Sequence, residues 1–241
     1  MHQPDSTPRP SIYYDYQVFQ PWLPSAHGTP SRQQVVIVGS GPSGMVTALE
    51  LARYGVRSVV LESELQVSAG SRAIVFTRRS MEILQQVGVA DRMVENGLPW
   101  QFGNSYYRGQ RVFRMEAPHD ADDRFGPMLN IQQQYMEQYL LEACEASDLI
   151  DFRWGNKVVK VSQDAQTATL EIDTPEGTYT LETDWLVAAD GGALRADHRL
   201  DAEVPLWARR AAAHVTQSHR KRLSPMVVGH GGQPLFHLRK C

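Results

Sequence analysis

The sequence predicts an α/β fold: an open, mostly parallel sheet with helices on both faces and an antiparallel β-meander as a crossover. Three observations predict it. An apolar, β-branched run at residues 34–38 enters a glycine-rich turn, as a strand buried on both faces does. A helical pattern and a second apolar run follow within about thirty residues, which makes a βαβ unit. Later, three short β-type runs separated by turn residues lead to one more apolar run at 185–189.

In chain order, residues 1–33 hold six of the fourteen prolines together with Tyr13, Tyr14, Tyr16, Phe19 and Trp22. Proline lacks a backbone donor while the aromatic rings gain by burial, so this stretch reads as an irregular arm packed on the main body. After the first strand, Met45, Ala48, Leu49 and Ala52 recur at i, i+3, i+4 and i+7 and predict a helix over 43–54, ended by Gly55. A second strand at 57–61 closes with Glu62. Helices are expected at 79–86 and 90–95, separated by Gly88, and a hairpin of strands 105–107 and 110–115 over Gly109. Residues 132–146 read as a helix with Met136, Tyr139, Leu140 and Ala143 on its buried stripe. The meander is expected at 157–161, 167–172 and 178–181, turning at Asp164-Ala165 and Pro175-Glu176-Gly177. A separate buried strand at 185–189 then runs into Asp190-Gly191.

Composition limits the function classes. With 42% apolar and 21% charged residues in 241, the chain has the makeup of a globular protein rather than a disordered one. A net charge of −3 offers no case for a polyanionic partner, so nucleic acid is not expected. The two cysteines, Cys144 and Cys241, form no CxxC pair, which supports neither a disulfide framework nor a zinc site and favours a reducing cytoplasm. The longest run free of charge, residues 33–49, is too short and too rich in Gly to span a membrane. The leader carries Arg9 and no apolar core, so it is not a secretory signal. Charge is unevenly spread: residues 192–241 hold nine Lys/Arg against three Asp/Glu, and five of the eight histidines. The chain therefore divides into an arm (1–33), a main domain (34–191) and an atypical basic tail (192–241) of low expected order.

The turn GSGPSG at 39–44 is the first chemical signal. Gly39 permits the sharp exit from the strand, Gly41 lets backbone approach a pyrophosphate, and Gly44 lets helix and strand pack closely. From Ser43 the helix opens, and its free N–H groups face the phosphates, where the helix dipole favours an anion by about 0.3–1 kcal/mol. Glu62 stands eighteen residues beyond Gly44, at the end of the second strand, where a carboxylate accepts both ribose hydroxyls of an adenosine. An acid there also disfavours a 2′-phosphate. An adenine dinucleotide is implied; NAD and FAD both fit at this point.

Three further stretches, SAGSRAIVFTRRSMEILQQVGV, LNIQQQYMEQYLLEA and DWLVAADGG, follow in that order. With the glycine turn they resemble the FAD-dependent aromatic hydroxylases, the single-component flavoprotein monooxygenases of the para-hydroxybenzoate and phenol hydroxylase type. The likeness covers residues 34–191. It implies a Rossmann-like FAD-binding domain, FAD as cofactor, NAD(P)H as co-substrate and a small phenolic substrate hydroxylated with O2. It further implies that Arg72 lies along the pyrophosphate and ribityl chain, that Gln133 hydrogen-bonds the cofactor, that Val158 offers backbone to the adenine, and that Asp190 and Gly191 meet the ribityl chain. It assigns no catalytic residue and no metal ligand here.

Past Gly192 the family pattern is lost. Leu194 and Asp197 stand where the family has serine and arginine, and the segments that build the family's substrate cover and second Gly-Asp motif do not follow. The charge break and the loss of motif at one point lead us to expect a fold incomplete relative to the family, with residues 192–241 replacing family sequence after a truncation near Gly192. Poor stability or self-association is the expected consequence. Two other readings share the glycine turn: an NAD(P)-dependent dehydrogenase or reductase, and a non-catalytic FAD-binding module.

Overall fold

The computed structural model describes residues 1–28, 32–69, 73–191 and 226–228. The chain forms two units, the first made of Met1–Val67 and Cys144–Cys241 and the second of Ser68–Ala143. The opening part of the first unit holds α1 (Pro24–His27), β1 (Gln33–Val38), α2 (Pro42–Arg53) and β2 (Ser58–Leu61). The second unit holds β3 (Val75–Thr77), α3 (Arg78–Gln86), α4 (Ala90–Asn96), β4 (Leu98–Trp100), β5 (Phe102–Tyr107), β6 (Gln110–Glu116) and β7 (Met128–Asn130). Helix α5 (Gln133–Glu145) ends back in the first unit, followed by β8 (Ile150–Arg153), β9 (Lys157–Gln163), β10 (Ala168–Thr174), β11 (Gly177–Ala188) and β12 (Met226–Val228).

One sheet organises the first unit, in the order β8-β2-β1-β11-β10-β9, with β12 also paired to β11. The pairs β8/β2, β2/β1 and β1/β11 are parallel, and β11/β10, β10/β9 and β11/β12 antiparallel. Four consecutive residues of β1, Val35 to Val38, are buried, as are all four of β2, because side chains alternate between two covered faces. On one face Val35, Ile37, Val60 and Val187 pack with Ala48 and Leu51 of α2. On the other, Val36, Val38, Val59 and Leu61 meet Leu170, Ile172 and Leu181 of the meander. Within the first unit, then, α2 covers one face of the parallel strands and apolar side chains of the meander cover the other.

Two strand expectations change. The runs at 178–181 and 185–189 are one strand, β11, and not two. Glu182-Thr183-Asp184 contains no Gly or Pro to stop pairing, and buried Thr183 stands opposite Ala168 of β10 and Gln33 of β1 at once. The strand thus leaves its antiparallel neighbour and joins a parallel one without a break. Strand β8 is an addition. It extends the parallel sheet at its edge, and its charged residues conceal the apolar alternation of Ile150 and Phe152. Arg153, buried in it, donates from Nε and Nη2 to Asp151 Oδ2 at 2.9 and 2.7 Å and places its guanidinium 4.0 Å from the Trp22 ring.

The residues before β1 run mostly without regular structure over the first unit. The Phe19 ring stacks on Trp154 at 4.5 Å, and Trp22 N donates to Trp154 O at 2.9 Å. Buried Gln66 accepts from Arg9 N at 2.9 Å and donates to Thr7 O at 2.8 Å, tying the arm to the loop that follows Glu62.

In the second unit, β3, β7 and β4 form a small antiparallel sheet, β7 in the middle. None of these three-residue strands was expected, being too short to show a period. The β5/β6 hairpin turns through Arg108 and Gly109, at φ 48° and 79°. Positive φ at both turn residues gives the twist that a two-residue hairpin needs. Arg72 and the basic tail, with its histidines, lie outside the described residues except for β12. Among the described residues no helix is long and apolar enough to cross a membrane.

Cys144, on α5, is fully buried with its Sγ 3.8 Å from Met45 O, and burial pushes its thiol up to about 12. The unfolded chain therefore gives up this proton at lower pH than the folded one. The contribution to stability is complete below pH 9 and is lost as pH rises towards 12. A Cys241→Ser variant, leaving Cys144 as the one thiol, is expected to resist a thiol-specific disulfide reagent at pH 8 and to react on unfolding. Rapid native labelling would contradict this.

Candidate functional site

The sequence-predicted residues of the first unit converge at the carboxyl ends of three adjacent strands, β2, β1 and β11. That end of a parallel sheet is where crevices form beside helix N-termini. Gly39 leaves β1 at φ 100°, and a Cβ there would lie 2.7 Å from Asp190 Cα and N. The first glycine is thus required both for its own turn and for the close approach of Asp190. The contact is reinforced by Ala189 N donating to Val38 O at 2.8 Å and Gly39 N donating to Leu61 O at 2.8 Å.

Gly44 has a different task. A Cβ on it would stand 2.0 Å from Gly39 O, so α2 could not pack against the turn with any larger residue. Gly41, the N-cap of α2, has ordinary extended geometry at φ −64° and ψ 175°, and a Cβ there would meet nothing within 4 Å. No side chain caps α2, and Pro42 occupies its first turn. The leading N–H groups have no intrahelical acceptor, so the helix presents a positive end beside open space. Ser43, half-buried, contributes its carbonyl to Thr47 Oγ1 at 2.7 Å.

Glu62 follows β2 directly and faces the turn. Its Oε2 accepts from Ser40 N at 2.9 Å and Ser40 Oγ at 2.7 Å; its Oε1 accepts from Glu64 N at 3.0 Å and Ser63 Oγ at 3.2 Å. The carboxylate therefore ties the glycine turn to the end of β2, a function that sequence reasoning did not assign to it. Ser40 was missed because a residue between two glycines carries no periodic signal. Two of the four donors are hydroxyls, each able to swing away about a single bond. Val158 lies on β9, packed against the cluster that contains Val38 and Leu61. Asn156, two residues earlier, donates its N–H to Glu62 O at 2.7 Å, which brings the start of β9 to the same end of the sheet. Asp190 is half-buried and Gly191 exposed at the end of β11.

In the second unit Gln133 opens α5 and is buried, its Nε2 donating to Glu137 Oε1 at 2.6 Å. The other oxygen of Glu137 accepts from Ser68 N at 2.7 Å. Glu137 is 1% exposed, a carboxylate inside the fold, and it was missed although its i+4 spacing from Gln133 is legible in the sequence.

Comparison with known proteins bears on this arrangement. The family described as "FAD binding domain" matches residues 32–231, forty residues past the point at which the sequence motifs end. The 3-(3-hydroxy-phenyl)propionate/3-hydroxycinnamic acid hydroxylase of Mycolicibacterium smegmatis is 29% identical over 172 residues, covering 70% of this chain and 30% of that enzyme. The crystal structure of p-nitrophenol 4-monooxygenase PnpA from Pseudomonas putida superposes with a TM-score of 0.65 at 28% identity, over 72% of this chain and 44% of that one. The flavin-dependent monooxygenase PieE, solved with FAD and substrate, gives a TM-score of 0.60 at 29% identity over 68% of this chain and 31% of that one. The chain thus spans between about a third and under half of these relatives. Gly39 admits Asp190, Gly44 admits a backbone oxygen and Gly41 stands open at an uncapped helix start; with the family match over most of its length, the chain belongs to the FAD binding domain family.

Proposed function

We propose that this chain is the FAD-holding part of a monooxygenase that hydroxylates a small phenolic substrate using NAD(P)H and O2, in the cytoplasm. The observation that carries the reading is the open space over Gly41 at the uncapped start of α2. A diphosphate fits there: the N–H groups of Ser43 and Gly44 donate to it while the dipole offsets its charge. Glu62 takes the adenosine ribose once Ser40 Oγ or Ser63 Oγ turns aside, keeping Ser40 N as the fixed donor that orients the carboxylate. Val158 lends backbone to the adenine side, Asp190 and Gly191 meet the ribityl chain, and Gln133 and Arg72 add polar contacts. FAD, when bound, supplies the redox and oxygen chemistry; the protein's share is binding, orientation and exclusion of water. The aromatic substrate is inferred from relatives whose names record hydroxylation of hydroxyphenylpropionate and oxidation of p-nitrophenol.

Titration of the full chain with FAD, followed by flavin fluorescence, tests the binding part of the proposal. Saturable quenching with one FAD per chain is expected. Tight binding of NAD(H) with no retention of FAD would favour the dehydrogenase reading. Oxidation of NAD(P)H that accelerates on adding a phenol would extend the result to turnover; FAD binding without it would favour a non-catalytic module.

A further inference from the structure

Glu137 has no place in the reading so far, yet its carboxylate is among the most deeply buried polar groups of the chain, 1% exposed at the second turn of α5. A buried carboxylate is costly unless its oxygens are satisfied. Here Oε1 takes the Gln133 amide N–H at 2.6 Å and Oε2 takes the backbone N–H of Ser68 at 2.7 Å. Because both Glu137 oxygens accept, the Gln133 side chain has one compatible orientation: Nε2 towards Glu137, Oε1 away from it. A glutamine at 137 has one oxygen, which Ser68 N–H claims, so its NH2 group would face Gln133 and turn that amide round. Ser68 opens the segment that leads to Arg72, four residues on, so one carboxylate holds both Gln133 and the root of that segment.

We propose that Glu137 is a positioning residue for the cofactor, which acts by fixing the Gln133 amide so that its carbonyl oxygen is presented as an acceptor to an FAD hydroxyl. This rests on the assignment of Gln133 to the cofactor. The ribityl hydroxyls of FAD are donors and match an acceptor held in a single orientation. With that orientation inverted, the amide presents N–H groups instead, and the side chain must be turned back on binding.

The test is a double-mutant cycle on the full chain, with FAD affinity read by flavin fluorescence and the fold of the FAD-free protein read by circular dichroism and thermal melting. Gln133→Ala is expected to weaken FAD binding about tenfold, the size of one lost hydrogen bond to a buried polar group. Glu137→Gln, with Gln133 in place, should weaken it severalfold to tenfold. Added to Gln133→Ala, it should weaken FAD binding no further, since no amide is left to orient. A purely structural role for Glu137 would instead lower affinity equally in both backgrounds, and that result overturns the proposal. So does an unchanged affinity in Glu137→Gln beside a weakened Gln133→Ala. Unchanged affinity in Gln133→Ala overturns the assignment of Gln133 itself, and the proposal with it. If Glu137→Gln does not fold, the exchange Gln133→Glu with Glu137→Gln restores a donor–carboxylate pair and an acceptor for Ser68 N. It is expected to bind FAD at least as weakly as Gln133→Ala, because the outward group is then a carboxylate that FAD's neighbouring anions oppose; wild-type affinity in this variant overturns the proposal.

Discussion

Gly44→Ala is expected to destroy the fold of the first unit. The added methyl group would stand 2.0 Å from the carbonyl oxygen of Gly39, well inside any tolerable contact. A side-chain neighbour could rotate away, but a backbone oxygen in a turn held by Gly39 N to Leu61 O and Ala189 N to Val38 O has no such freedom. Relief requires α2 to withdraw from β1, and with it Ala48, buried against Val35, Ile37 and Val60. Overpacking of this kind costs about 3 kcal/mol or more, a large share of the 5–15 kcal/mol that holds an ordinary domain together. Thermal or denaturant melting read by circular dichroism should show a much lower midpoint or no cooperative transition. A midpoint within a few degrees of wild type would show that the turn and helix are held less closely than described.

Gly41→Val is expected to do the reverse, keeping the fold and removing the cofactor. Its backbone, at φ −64° and ψ 175°, suits any residue, and the added side chain meets nothing within 4 Å. The loss of chain freedom in the unfolded state makes a small stabilisation the expected sign. The same side chain projects into the space over the start of α2, where the diphosphate is proposed to lie. Charge-assisted hydrogen bonds are worth about 1.5–3 kcal/mol each, so displacing the diphosphate from two of them should weaken FAD binding about a hundredfold or more. Flavin fluorescence titration beside a melting curve separates the two properties. Retained FAD affinity in a folded Gly41→Val protein would place the cofactor elsewhere.

The two glycines look alike in the sequence, three residues apart in one motif, and their opposite expectations come from their surroundings. A glycine pattern states that side chains are absent. Whether the vacated space holds backbone or stands open depends on how the turn folds back on itself: at Gly44 it holds the Gly39 carbonyl oxygen, and at Gly41 nothing lies within 4 Å. The same limit explains Glu62. Its place after an apolar strand was legible, because β2 is a buried run followed by an acid, but its bonds to Ser40 and Glu64 depend on how the turn folds back over it. Glu137 shows the converse: its spacing from Gln133 was available, yet an acid on a helix ordinarily faces water, and nothing local marks this one as buried.

By itself the sequence determined the elements whose pattern is local and long enough to repeat: β1, α2 and β2 around the nucleotide turn, the helix at Gln133, the hairpin over Gly109 and the meander's turns. Periodicity and turn chemistry act over a few residues and survive whatever the rest of the chain does. Only the tertiary structure decided that the last meander strand runs unbroken into the parallel sheet, that a charged edge strand at 150–153 completes it, and that Glu62 and Glu137 each hold a neighbour in place. Those outcomes depend on pairing partners far away in sequence, and the burial of a polar group is settled by what packs over it.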